Sequence, residues 1–592
     1  MHNLRRSALA VLAVAVLLIA AIPARAQVLK YVRDDAMVVF KLNNPQAVNE
    51  KLVVLSQKMG LANLAPPFAD PLGALKTQLN LKAGIDFKGE AAVVIFRPVA
   101  GENEPRAIAL IPVSDYKAFV GNFGESKKDG NMDTFSIQPD GEPVYAELWG
   151  TYAAVTPWKD LLLEQPQGLK LDGTVAKQLQ ERDFSVWVNM KIVAEMALPG
   201  VRSIKEMMPN VPMPGQPNAV AFQRAMAVQV FEGVEAFLTQ TRAAALSINV
   251  SPAGLTNTLS LDFDPASDLG KGVAQIQNTN ADLLAGLPQE KYLAFGGWTQ
   301  SGTGAWEFFS GFYGKPMKAI QLPEPDAKSL DAAWAGYEKV LTSARGGAFG
   351  VLSPPAAGAT EGGFLRAVSL MRGDAKAIFE GAKLISANDQ TFMKATGNEG
   401  LGYNSNILPN PKTIEGVAFQ QVDISFKPDP QAMPNPQLAQ VFQFLYGGKG
   451  IANCYGVVND KLVVSGFGAD DAQLRNAVLA AKQGQSPMSD NEAVKAAALE
   501  LPKNRIGVMY VAVDSIVATV FDVLSQMGQA PKLKVPGDLP PLAISLASEG
   551  STLRFDSHIP SALIENMTSL ALQATMMARP QPPPQMLPPA AP

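Results

Sequence analysis

The chain has 592 residues, 47% of them hydrophobic, with 50 Lys and Arg against 54 Asp and Glu and a formal net charge of −4. A mildly acidic chain without basic clusters argues against nucleic acid or an anionic lipid surface as partner. One cysteine, Cys454, excludes an internal disulfide and a Cys-based zinc site, and two histidines leave little for a His-based metal centre or a catalytic triad.

Arg5 and Arg6 precede an apolar run from Ala8 to Ile22, and Ala24-Arg25-Ala26 supplies a small-residue exit. Residues 1–26 therefore read as a secretory signal peptide, with Gln27 as the mature N-terminus. No cysteine follows the exit, which argues against a lipid anchor. Cleavage takes away three arginines, no acid and His2, so the net charge moves from −4 to −7 and His558 becomes the last histidine. No later stretch is long and apolar enough to span a bilayer; "VAVDSIVATVFDVL" (511–524) carries Asp514 and Asp522 and reads as an amphipathic helix. The expected location is the periplasm or the medium.

Farther along, "AMVVFKL" (36–42) reads as a buried strand. Asn44 then caps a helix that opens with Pro45, buries Val48, Leu52, Leu55 and Met59 on one face, and closes at Gly60. "IALIPVSDYKAF" (108–119) is a strand running into a helix, with Ser114 and Lys117 in the S-x-x-K spacing of some acyl-transfer enzymes. Asp129, Asn131, Asp133 and Asp140 fall at calcium-loop positions, but Thr134 replaces the required glycine, so a polar turn before a strand is the reading. The loop Met207–Pro217, with Met207, Met208 and Met213, reads as a connector packed on the sheet, or as a flap over an apolar pocket. A helix over roughly 219–241 and a hairpin over 244–263 follow.

"GGWTQSGTGAWEF" (296–308) lacks the third glycine of a dinucleotide loop and the Lys-Ser/Thr of a P-loop. Its neighbourhood is aromatic: Trp298, Trp306, Phe309 and Tyr313 read either as core or as the lining of a ligand site. Arg372-Gly373-Asp374 stands at a helix start, residues 455–467 form a hairpin, and Asp514 caps the helix after "GVMYVAV". Cys454 is expected to be buried and His558 to lie at the surface beyond the last strand. The tail "PQPPPQMLPPAAP" (580–592) reads as an extended polyproline segment.

Segments recur in order. "AAVVIFRPVAG" (91–101) returns as "GAFGVLSPPAAG" (347–358), and "IALIPVSDYKAF" as "AVSLMRGDAKAI" (367–378). "DFSVWVNM" (183–190) matches "RIGVMYVA" (505–512), and "AALSINVSPAGLTNTLSLDF" (244–263) matches "PLAISLASEGSTLRFDSHI" (541–559). The expectation is an α+β fold of two tandem similar halves, 27–286 and 287–579, each an antiparallel or mixed sheet with helices packed on a face. The Ser114 position, taken by Gly373 in the second copy, falls beside a helix start in both, so a capping need explains it better than a nucleophile does.

The signal peptide, the opening "VRDDAMVVFKLNNPQAV" and the doubled strand–helix order resemble a class of exported bacterial envelope proteins of unknown function built from two similar α+β halves. The resemblance implies no activity and transfers no catalytic residue. The functional expectation is an exported, non-catalytic protein that binds a partner protein or an apolar ligand, without metal or cofactor. The expected ligand contacts are Trp298, Trp306, Phe309, Tyr313, Met207, Met208 and Met213. The alternative is a glycosidase-like hydrolase working with carboxylates alone, its sugar subsite lined by these aromatics.

Overall fold

The computed structural model describes residues 27–577 apart from 64–65, 100, 102–103, 138–140, 212–216, 355–362, 397–400, 428–444, 448–449 and 527–533. The expected signal peptide, the proline-rich tail and Met213 lie outside the described residues.

Ten strands come first: β1 (Ala36–Leu42), β2 (Ala91–Phe96), β3 (Arg106–Pro112), β4 (Lys127–Asp129), β5 (Met132–Phe135), β6 (Val144–Trp149), β7 (Tyr152–Thr156), β8 (Phe184–Asn189), β9 (Thr241–Ser251) and β10 (Gly254–Phe263). Eleven follow: β11 (Tyr292–Thr299), β12 (Ala344–Leu352), β13 (Ala367–Gly373), β14 (Tyr403–Ile407), β15 (Lys412–Ile414), β16 (Val417–Phe426), β17 (Ile451–Asn459), β18 (Leu462–Phe467), β19 (Gly507–Val511), β20 (Leu542–Glu549) and β21 (Thr552–Pro560). Among them run helices α1 (Pro45–Lys58), α2 (Tyr116–Gly121), α3 (Gly173–Glu181), α4 (Met190–Met207), α5 (Pro217–Gln240) and α6 (Gly302–Lys318). The later helices are α7 (Glu324–Ser343), α8 (Ala375–Ala395), α9 (Asp471–Gln483), α10 (Glu492–Leu499), α11 (Val513–Gln526) and α12 (Ser561–Met577).

The fold is α+β, and all of these strands join one sheet whose pairings are all antiparallel. From one edge the order is β4-β5-β6-β7-β3-β2-β1-β8-β9-β10, and then β21-β20-β19-β11-β12-β13-β18-β17-β16, with β14 and β15 both paired to β16. The order on one side of the β10–β21 seam is thus repeated in mirror sequence on the other. At the seam Gly254 faces Pro560 and Asp262 faces Thr552, which centres the ladder on Thr258 and Asp556.

Helices pack on both faces of the sheet. On the first face, α3 places Val175 and Leu179 over Val39, Val94, Ile108 and Trp187. Beyond the seam, α9 and α10 place Leu474, Val478 and Val494 over Phe295, Val368 and Tyr510. The second face carries α2, with Phe119 on Val93 and Ala109, and α8, with Ile378 on Val422 and Val463. Strands such as β2 are apolar at every position because both of their faces are packed.

Local signals explain the helix starts. Asn44 accepts the Ala47 N–H with Pro45 in the first turn. Asp115 caps α2 and Asp374 caps α8, each accepting an N–H three residues on at 3.0 Å. Ser114 and Lys117 are both exposed, and the Ser114 N–H donates to the Gly84 carbonyl at 3.0 Å. Asp129–Asn131 form the turn between β4 and β5, as a polar turn should. Asp514, expected as a cap, lies inside the first turn of α11; it is buried and accepts the Leu539 N–H at 3.2 Å, because α11 starts almost directly from β19.

Candidate functional site

Reading paired residues outward from Thr258–Asp556 gives one continuous row on the first face. One direction runs Thr258, Ser247, Ser185, Lys41, Ala92, Leu110 and Ala154. The other runs Asp556, Ser545, Val508, Gly297, Ala348, Leu370 and Val464. Its centre is polar yet buried: Ser247, Thr258, Asp556 and Ser545 are at most 2% exposed.

This polar seam is held by specific bonds. Thr258 Oγ1 donates to Asp556 Oδ1 at 2.7 Å, and Arg554 meets the same oxygen at 2.8 Å. Burial works against the Arg554 charge, but Asp556 and Glu549 outweigh it and raise its pKa. Gln178 on α3 donates to Ser247 Oγ at 2.8 Å and to the Thr258 carbonyl at 2.7 Å. Lys41 Nζ reaches Glu90 Oε1 and the Leu179 carbonyl, both at 2.9 Å, although burial pushes its pKa down. Among the described residues, Asp556 Oδ2 and the hydroxyls of Ser260 and Ser545 have no hydrogen-bond partner. Such a seam is costly to desolvate, so it does not represent the cheapest way to close a sheet.

The opposite face of the same strands carries a partly open apolar row, next to the polar pair Asn257–Ser557. The row there runs Val186, Leu246, Leu259, Phe555 and Leu546. Leu246 is 42% exposed and Leu259 37%, although β9 and β10 lie deep inside the sheet. Polar residues point in and leucines point out, the reverse of the usual half-buried strand. Near one end, α4 and α5 close over Val188 and Ala244 through Met190, Ala194 and Leu238. Near the other, α12 touches β10, β21, α1 and α11.

These helices also carry uncovered apolar groups. α4 exposes Met196, Ile204 and Met207, α5 exposes Val230 and Val234, α11 exposes Val520, and α12 exposes Leu572. α5 is largely apolar over 24 residues but fully buries only Ala219 and Leu238. The sheet face and its flanking helices therefore form the candidate site, one suited to an apolar chain or surface.

The residues singled out from sequence are distributed differently. Trp306, Phe309 and Tyr313 lie on α6 and pack against α7: Trp306 and Phe309 each lie 5.4 Å from Trp334, Phe309 lies 5.4 Å from Tyr337, and Tyr313 lies 4.9 Å from Phe309. Their rings pack on one another and on α7, and all three remain partly exposed. Trp298 stands apart on β11, 6.2 Å from Phe349, with its indole N–H on Gln300. Met207 is exposed at the end of α4, Met208 is half-buried in the turn after it, and Arg224 of α5 holds that turn through the Val211 carbonyl at 3.2 Å. The acid carried on the aromatic helix, Glu307, is exposed.

Cys454 is buried, which pushes its thiol pKa up to about 11. His558 is not at the surface: it is 2% exposed inside β21, 3.1 Å from Thr256 Oγ1, and burial lowers its pKa. Pairing β21 with β10 extends the sheet past it, which a hairpin read alone does not reveal. Leu246 and Leu259 were invisible for a related reason. In "AALSINV" and "LTNTLSL" small polar residues alternate with leucines, and period two does not say which set faces inward.

Among the described residues no helix is long and apolar enough to cross a membrane, and no cluster of three or more His, Cys, Asp or Glu is arranged to hold a metal. No protein-family description matches the chain, and no curated protein matches it. Among solved structures, a crystal form of TP0453 aligns at 9% identity over 49% of this chain and 98% of that one, with a TM-score of 0.19, too low to carry an argument.

Proposed function

We propose that this is an exported, non-catalytic binding protein of the periplasm or medium, which takes an apolar ligand or an apolar partner surface on the face presenting Leu246 and Leu259. The observation that carries the reading is the inverted alternation of β9 and β10, with buried Ser247 and Thr258 behind exposed Leu246 and Leu259. Exposed leucines in mid-sheet cost stability and solubility unless something covers them. The apolar helices α4, α5, α11 and α12 around that face support the same reading. Two halves derived from one duplicated unit are part of this proposal, supported by the repeated strand order, as is the resemblance to two-half envelope proteins.

The test is to extract the purified protein with organic solvent, identify co-purified lipid by mass spectrometry, and titrate the delipidated protein with the neutral fluorophore N-phenyl-1-naphthylamine. The Leu246→Ser/Leu259→Ser variant should bind the probe about tenfold more weakly, as expected for loss of two apolar contacts. Absence of both lipid and probe uptake, or uptake unchanged in the variant, would refute the apolar-ligand reading. Export is checked separately: the secreted or periplasmic fraction should contain a chain beginning at Gln27.

A further inference from the structure

We infer that an open cleft of about 730 Å³ at the ends of β12, β13 and the β17–β18 turn is a binding site for a phosphoryl-bearing anion. Arg345, Arg372 and Lys461 line it, with Asn459 and Asp374. The three cations are far apart in sequence and come from three different strands or turns. Among the described residues none of the three forms an ion pair, whereas many other Lys and Arg residues do.

Their existing bonds go to neutral main-chain oxygens. Arg345 Nη1 donates to the Thr342 carbonyl at 2.7 Å and to that of Ala344 at 3.0 Å. Arg372 Nη2 donates to the Leu283 carbonyl at 3.4 Å and also to that of Ala285. These bonds hold the guanidinium groups without neutralising them. Of the acids nearby, Asp374 accepts the Ala377 N–H at 3.0 Å, Asp282 accepts the Leu284 N–H at 2.9 Å and the Ser489 hydroxyl at 2.7 Å, and Asp460 is exposed in the turn beside Lys461; among the described residues none of them forms an ion pair with the three cations. The start of α8 offers little by itself, since the N–H groups of Gly373, Asp374 and Ala375 are bonded to the Lys461, Ser343 and Asp460 carbonyls. Recognition would therefore come from side chains, with forked guanidinium groups suited to phosphoryl oxygens.

The other side of the sheet shows that the fold does not require these charges. Counting outward along corresponding strands, Arg345 is matched by Gly89, Arg372 by Pro112 and Lys461 by Thr151. The backbone there is joined in the same way: Val113 N–H donates to the Thr151 carbonyl at 2.9 Å, as Gly373 N–H does to that of Lys461 at 3.0 Å. Yet that position is closed by direct packing, since a Cβ on Gly89 would sit 2.6 Å from Pro112 Cβ. The same junction is sealed on one side, with the Asp86 carboxylate beside it, and open with three cations along its lining on the other. In an acidic chain, that difference marks a site for an anion.

The inference is independent of the apolar-face reading. Its test is calorimetric titration of the purified protein with pyrophosphate, alongside flotation with phosphatidylglycerol vesicles and with phosphatidylcholine vesicles. Arg345→Ala/Lys461→Ala removes two exposed charges and leaves Arg372 in place. Pyrophosphate binding that falls about tenfold or more in this variant and weakens with salt supports a soluble phosphoryl ligand. Binding only to phosphatidylglycerol vesicles, lost in the variant, supports a lipid headgroup. Failure to bind either probe up to about 10 mM phosphoryl groups, or equal binding by the variant, overturns the inference.

Discussion

The β1–β10 side and the β11–β21 side share a strand order but solve the same junctions with different chemistry. Where the first side buries Lys41 against Glu90, the second has Gly297 and Gly346. A Cβ on Gly297 would lie 2.1 Å from the Leu283 carbonyl, so main chain descends into the space that a lysine side chain fills on the other side. The ladder tolerates either arrangement. The ion pair is thus a local choice, and the sheet does not depend on its charge.

That comparison can be broken most sharply at Glu90. Glu90→Ala leaves Lys41 charged and unpaired in the interior and should cost about 3–5 kcal/mol in urea denaturation. The double change Lys41→Met/Glu90→Leu should recover most of that loss. A cost below about 1 kcal/mol for the single variant would show that Lys41 does not rely on Glu90.

On the other side, Gly297→Ala should destabilise by about 1–3 kcal/mol, because the close contact is with backbone that cannot swing away. If it is neutral, the Leu283 segment is not pinned against β11. The helix starts should behave alike: Asp115→Ala and Asp374→Ala should each cost about 1 kcal/mol, and a clear inequality would show that one cap carries more than its helix.

The smallest expected effect concerns His558, matched across the seam by Ser260. Burial lowers the folded-state pKa of His558 below its ordinary value of 6.5. The unfolded chain then takes up a proton first as pH falls, so the stabilising share is complete above about pH 6.5 and declines on acidification toward the folded pKa. Thermal melts at pH 7.5 and 5.5 should differ less for His558→Asn than for the unsubstituted protein. Equal pH dependence in the two would remove His558 as the cause.

Much of the scaffold was legible in the residues. β1 occupies the 36–42 expected for it, and the hairpins β9–β10 and β17–β18 lie where alternating apolar runs flank polar turns. Asn44 caps as read, and a helix expected over roughly 219–241 spans Pro217–Gln240. These are local effects, decided by φ/ψ preference, caps and periodicity over a few residues. The candidate site was much less legible. The aromatic run at 298–313 is conspicuous in the sequence, but its helix rings pack on α7, a neighbour that nothing within the run specifies.

Sequence by itself determined that segments such as 36–42 become strands, that a helix follows at 45–58, and that Asn44 starts it. Tertiary structure alone decided that β10 meets β21, that leucines of the central strands look outward while Ser247 and Thr258 look inward, and that Arg345, Arg372 and Lys461 share one cleft. The reason is distance. Caps and alternation act between neighbours along the chain, whereas burial and charge clustering depend on residues hundreds of positions apart, brought together only when the sheet closes its seam.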